Sequence, residues 1–174
     1  MVGNLPYQIT SPLLFAITDA AAGGQVIGRA ILMVQKEFAQ RMLAGPGSKV
    51  YGRLSVMVQQ QAEGEILFHV GPSAFHPRPA VTSTVLRLRP RLTPLAPVRD
   101  PSQFAQVVKQ VFAARRKMLR RALEPLAGAE AAMRALALSG IQGTRRAEEL
   151  SVAEFAHLAD AFSSVLGSDA KPRK

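Results

Sequence analysis

The sequence predicts an α/β fold followed by a small all-α domain, and three features carry that prediction. Short apolar runs of strand length alternate with helical patterns as far as residue 90. Four prolines, Pro90, Pro94, Pro97 and Pro101, with no hydrophobic period among them, then interrupt the chain. Every periodic segment beyond that point is helical. A chain of 174 residues has room for one ordinary domain, or a small domain with an appendage, and 48% apolar residues suffice for a core.

The elements follow in order. Gly3-Asn4-Leu5-Pro6-Tyr7 is read as a polar turn. Ser11 is placed as an N-cap with Pro12 at the first helical position, opening a helix to Ala22 that Gly23-Gly24 ends. Residues 29–35 form a buried strand, and residues 37–43 a helix stopped by Gly45-Pro46-Gly47. Residues 51–62 are a second helix with a Val-containing middle, 65–70 a strand, 71–79 a Pro-rich loop and 83–89 a further strand. In the helical part, Ser102 is expected to cap a helix whose stripe runs Phe104, Val107, Val108, Val111, Phe112, Met118, Leu119, Ala122 and Leu123. Residues 129–138 and 152–166 are two more helices, the latter with a Ser151/Glu154 capping box. The resulting division is 1–93 for the α/β portion, 94–101 for a linker, 102–167 for the helical domain and 168–174 for a flexible tail.

Composition excludes several kinds of chemistry. Without cysteine there is no disulfide, Cys-ligated zinc or thiolate nucleophile, and His69, His76 and His157 are too scattered for a metal cluster. Apolar runs are too short to span a bilayer, and Met1-Val2-Gly3 does not open a secretory leader, so a cytoplasmic protein without a membrane partner is expected. Charge is concentrated. Between His76 and Arg121 eleven Lys and Arg face one acid, Asp100, which accounts for the whole formal surplus of +10. Such a block suits a polyphosphate partner better than a basic face kept only for solubility.

Asn4-Leu5-Pro6-Tyr7 suits one reaction in particular. The exocyclic amine of adenine is a weak nucleophile because its lone pair is delocalised into the ring. Two oxygens accepting its hydrogens, from the Asn4 side chain and the Leu5 carbonyl, would return electron density to nitrogen and fix its direction. Pro6 stiffens that turn, and Tyr7 offers a flat face to a base that is flipped out or unpaired. Alignment and electrostatics then suffice without a covalent nucleophile. Alone, such a turn is equally an ordinary connection.

GNLPYQITSPLLF at 3–15 resembles the adenine-pocket motif of the ribosomal RNA adenine dimethyltransferases. MVQKEFAQRMLAGPGSKVYGRLSVMVQ, AFHPRPAVTSTVLRLRP, FAARRKMLRRAL and GIQGTRRAEELSVAEF are similar to later segments of the same family, in the same order. The resemblance implies the C-terminal strands of a Rossmann-like methyltransferase core, S-adenosylmethionine as donor, and N6-dimethylation of adenosines in small-subunit ribosomal RNA. It implies that Asn4 and Leu5 hold the adenine amine, that Asn4 also borders the donor, and that Tyr7 and Phe75 cover the two faces of the base. Phe75 has the physical means, as an aromatic on a loop stiffened by Pro77 and Pro79, although it equally suits a loop anchor. Thr82, where the family commonly has Asp, and Gln142-Gly143, where Asp-Pro is frequent, leave the subfamily open. The family's Gly-rich donor turn and the acids after it have no counterpart here, AGPGSK at 44–49 being a helix stop without phosphate-loop spacing. The expectation is a fragment inactive alone, acting as a monomer on the small ribosomal subunit. The alternative is a non-catalytic RNA-binding or ribosome-assembly module.

On a continuous helix, Lys109, Arg116 and Arg120 would share one face, flanked by Lys117 and Arg121, as a cationic ridge for phosphates, extended by Arg87, Arg89 and Arg91. Arg115, counted with this set, projects into the apolar stripe. It is either a paired bridge from the helical domain to the core or the mark of a bend, and pairing is preferred because a lone buried charge is costly.

Overall fold

The computed structural model describes residues 2–4 and 28–169. Leu5, Pro6, Tyr7 and the helix expected over 11–22 lie outside the described residues, as do 170–174. The chain divides into two compact units, Met1–Ala44 with Met57–Leu95 and Gly45–Val56 with Ala96–Lys174. Residues 45–56, which sequence pattern assigns to the α/β portion, therefore cluster with the helices. Among the described residues no helix is long and apolar enough to cross a membrane.

The first unit is built on four strands, β1 (Val2–Asn4), β2 (Ala30–Gln35), β3 (Ala62–Val70) and β4 (Ser83–Pro90), in the order β1-β2-β4-β3. β1 runs parallel to β2, with Gly3 opposite Leu32 and Asn4 opposite Met33. Among the described residues β1 is the outermost strand of this sheet, so Gly3 and Asn4, read from sequence as part of a turn over 3–7, are strand residues. β2 and β4 are antiparallel, with Leu32 opposite Leu86 and Ala30 opposite Leu88. All four of these side chains are buried, together with Val34, so one face of the sheet carries the core. β3 pairs antiparallel with β4 through an irregularity between Ile66 and Phe68 that interrupts the pairing at Leu67. Helix α1 (Lys36–Leu43) buries Ala39 and Met42. Helix α2 (Arg53–Gln61) is shorter than the predicted 51–62, because Ala62 already pairs with Pro90 in the sheet.

The second unit holds α3 (Pro101–Ala113), α4 (Leu119–Ala122), α5 (Glu124–Ser139) and α6 (Val152–Asp169). Asp100 caps α3, its carboxylate accepting from the Ser102 and Gln103 amides, so the cap sits two residues before the predicted Ser102. Those bonds, led by the one from the Ser102 hydroxyl, hold the Asp100 carboxyl below its usual range. Phe104, Val107, Val108 and Val111 of α3 are buried, as are Leu119 and Ala122 of α4 and Phe155, Leu158 and Phe162 of α6. Phe112 packs 5.6 Å from the Phe155 ring and edge-on to Tyr51 at 5.9 Å. α5 departs from helical geometry at Ala127 and Gly128, which leaves the regular helix where sequence places it. Gly140 closes it in the left-handed region at φ 69°, its amide reaching Leu136 and Ala137 carbonyls. Before α6 the predicted capping box is present: the Glu154 amide donates to Ser151 Oγ and the Ser151 amide to Glu154 Oε2. α6 runs to Asp169, two residues into the span expected as tail.

Candidate functional site

Strand direction decides what gathers at one end of the first unit's sheet. Asn4 is the last residue of β1 and pairs with Met33, two residues before β2 ends at Gln35. Gln35 lies opposite Ser83, and Ser83 also lies opposite Val70, the last residue of β3. The carboxyl ends of β1 and β2 and the whole 71–82 connection therefore share one edge of the sheet. In open α/β sheets that edge is where ligands bind. Asn4 is exposed there and Phe75 half-buried.

The 71–82 loop is tied down by its backbone. A single 3-10 turn (Pro72–Ala74) is followed by Phe75, whose amide donates to the Pro72 carbonyl at 3.3 Å. The His76–Pro77 peptide is cis. At the far end the Lys36 amide donates to the Thr82 carbonyl at 3.0 Å. Inside the last strands His69 Nδ1 lies 2.8 Å from Thr84 Oγ1. Of the predicted pocket, Asn4 and Phe75 are thus brought to one sheet edge, while Leu5, Pro6 and Tyr7 lie outside the described residues.

The cationic set is arranged otherwise than a single helix predicts. α3 ends at Ala113, so only Lys109 stands on it; Arg115, Arg116 and Lys117 occupy the following turn, and Arg120 and Arg121 lie on α4. One straight ridge is therefore excluded. The break is fixed from outside: the Leu119 amide donates to the Arg145 carbonyl at 2.8 Å and the Arg120 amide to the Gly143 carbonyl at 3.0 Å. Lys109, Arg116, Lys117, Arg120 and Arg121 are all exposed, and Arg121 pairs with Glu124 at 3.0 Å. Arg87 pairs with Glu65, and Arg91 with Glu63 at 3.1 Å, so two of the three bases proposed to extend the ridge are neutralised across the strands.

Arg115 is both paired and placed where the helix breaks. Its Nε donates to Glu148 Oε2 at 3.2 Å, and its Nη2 to the Ser48 and Lys49 carbonyls at 3.4 and 2.9 Å. These partners belong to its own unit. The bridge thus ends on residues 48–49, within the segment that clusters with the helices. The same segment is held by the Gly47 amide on the Glu148 carbonyl at 2.7 Å and by the buried Tyr51 hydroxyl on the Leu150 carbonyl at 2.9 Å. Burial, and secondarily Glu154, push the Tyr51 phenol well above its usual range. The pattern of the 44–49 glycines gives no hint of this anchoring. The signal available in sequence is Arg115 itself, a charge in an apolar stripe that needs an acid, with Glu148, Glu149 and Glu154 as candidates.

This fold is that of the Rossmann-like ribosomal RNA adenine methyltransferases. A dimethyladenosine transferase from Plasmodium falciparum matches 94% of this chain and 66% of its own, with a TM-score of 0.75 and 25% identity. The 23S rRNA methyltransferase ErmE matches 93% of this chain and 64% of its own, at a TM-score of 0.62 and 26% identity. A model of the ribosomal RNA adenine dimethylase family matches residues 1–164, and the chain belongs to that family. Ribosomal RNA small subunit methyltransferase A of Synechococcus sp. (strain JA-3-3Ab) is 43% identical over 99% of this chain and 64% of its own length. The protein of that name from Xanthomonas campestris pv. campestris (strain B100) is 47% identical over 92% of this chain and 58% of its own. The chain thus spans about three fifths of the length of these relatives.

Proposed function

We propose that this chain supplies the acceptor side of an S-adenosylmethionine-dependent N6-dimethylation of adenosines in small-subunit ribosomal RNA. The observation that carries the reading is the convergence of Asn4 and Phe75 on the carboxyl edge of one sheet. Asn4 Oδ1 and the Leu5 carbonyl accept the two N6 hydrogens, and Pro6 stiffens the turn that aims them. Tyr7 and Phe75 cover the faces of the unpaired base. Lys109, Arg116, Lys117, Arg120 and Arg121 hold backbone phosphates, which position the RNA without reading its bases. The names of the Synechococcus and Xanthomonas relatives support the small subunit as target, and the reading has the protein acting as a monomer in the cytoplasm.

The donor is a methyl sulfonium, and what it supplies is an electrophilic methyl group. Of the described residues only Asn4 is assigned to it, and one exposed amide by itself does not make a donor site. This chain's own chemistry is therefore to orient an amine and exclude its free rotation.

The test joins this chain to the amino-terminal remainder of the Xanthomonas relative and follows labelled methyl transfer from S-adenosylmethionine to small ribosomal subunits. Asn4→Ala is expected to lower kcat about 100-fold or more, as losing one aimed polar contact does in other active sites. Near-normal turnover removes the amine-acceptor role. Tight subunit binding without any transfer favours an RNA-binding module instead.

A further inference from the structure

We propose that Lys49 is a phosphate ligand of the RNA-holding surface, and that Arg115 is the positioning residue that presents it without itself touching RNA. The inference rests on the RNA-holding role above and extends it to a loop that sequence pattern reads only as a helix stop.

Two features of the 45–52 loop support it. First, the loop is fastened to the helical unit at four places: the Gly47 amide on the Glu148 carbonyl, the Tyr51 hydroxyl on the Leu150 carbonyl, and Arg115 Nη2 on both the Ser48 and Lys49 carbonyls. Gly47 takes a φ of +83°, a backbone course that a side chain would strain. Second, the fastening uses only the backbone of Lys49. Its side chain is exposed, and among the described residues it forms no ion pair. The Lys49 backbone thus lies one guanidinium's reach from the turn that carries Arg116 and Lys117, and its side chain is left to solvent.

The same geometry argues against Arg115 as a direct ligand. Its Nε is engaged by the Glu148 carboxylate and its Nη2 by two carbonyls, so a phosphate would have to displace an acid to gain that group. A guanidinium already paired adds little to the field that a phosphate meets, whereas an unpaired lysine on a fixed stretch of backbone adds a full charge.

The experiment is RNA binding by the 174-residue chain, followed by fluorescence anisotropy with a labelled RNA hairpin over a salt series. Lys49→Ala is expected to weaken binding several-fold and to flatten the plot of log affinity against log salt by about 0.9, the value of one phosphate contact on a duplex. Lys49→Arg restores both. Glu148→Ala raises the net charge by one, so a direct Arg115 contact predicts tighter binding. The positioning role predicts weaker binding, and no further loss when Glu148→Ala is added to Lys49→Ala. Tighter binding by Glu148→Ala, or an unchanged slope for Lys49→Ala, overturns the inference. Since Lys49 is exposed, its variant decides the matter if Glu148→Ala lowers the melting temperature. Should the unmodified chain fail to bind the hairpin, the RNA-holding role falls and this inference with it. Binding that is intact in Lys49→Ala sinks the inference alone.

Discussion

Phe75 is half-buried on a loop whose two ends are pinned by backbone hydrogen bonds, and that arrangement suits either a base-stacking ring or a loop anchor. The two roles separate under Phe75→Leu, which keeps apolar bulk and removes the flat π face. If the ring stacks, affinity for RNA carrying an unpaired adenosine falls by about 1–3 kcal/mol while binding of the same RNA with an abasic site is unchanged. If the ring only anchors the loop, both affinities stay level and the melting temperature drops. Asn4 shows how far residue chemistry was legible. Two acceptors on a stiff turn follow from Asn4-Leu5-Pro6-Tyr7 as a sequence, but the strand identity of Asn4 does not. Three residues are too few to show a period, and Val2–Asn4 is a strand because it pairs with Ile31, Leu32 and Met33, far along the chain.

At the scale of elements, the later strands and the long helices were readable because strands appear as short apolar runs, as in residues 30–34 of β2, and helices as apolar positions recurring at helical spacing. The break between α3 and α4 was not readable. No Gly or Pro lies between Ser102 and Leu123, and Leu119, Ala122 and Leu123 resume the apolar stripe beyond the break. What ends the helix is a pair of carbonyls, those of Gly143 and Arg145, that take the Leu119 and Arg120 amides. The segment supplying them is itself tied by Arg145, which pairs with Glu154 and bonds the Glu149 carbonyl at 2.7 Å. The Arg145 hydrogen bond, assisted by those from Ser151, holds the Glu154 carboxyl below its usual range. A depressed carboxyl stabilises the fold fully above its unfolded pKa, about 4.3, and loses that contribution as pH falls through the lower folded value. Glu154→Gln is therefore expected to cost about 1–2 kcal/mol at pH near 7, after allowing for partial exposure. The gap from the unmodified chain should close as pH falls through that lower folded value. Melting curves at both pH values check it, and a gap that stays constant would show that the charge contributes nothing.

For the whole molecule the question is how much of its charge an RNA phosphate meets. Sequence places the whole surplus of +10 between His76 and Arg121 and, of the eleven bases there, sets only Arg115 apart as a paired residue. The structure divides them. Arg87, Arg91, Arg99, Arg115 and Arg121 have acidic partners in Glu65, Glu63, Asp160, Glu148 and Glu124. Among the described residues Arg78, Arg89, Lys109, Arg116, Lys117 and Arg120 form no ion pair. Most of that division was hidden because Glu63 and Glu65 sit on a neighbouring strand whose register must be known first, and Asp160 and Glu148 lie on later elements; only Arg121 and Glu124, three residues apart, form a local pair. A base already paired with an acid neutralises less of a phosphate's charge and so releases fewer of the counterions condensed on the RNA, which lowers its contribution to the salt dependence of binding. Two double variants of equal formal charge should then behave differently. Arg116→Ala with Arg120→Ala is expected to flatten the salt slope by about 1.8, two phosphate contacts. Arg87→Ala with Arg91→Ala should change it by well under one unit. Equal changes in the two variants would mean that RNA responds to total charge alone, and that the arrangement of the turn between α3 and α4 has no part in holding it.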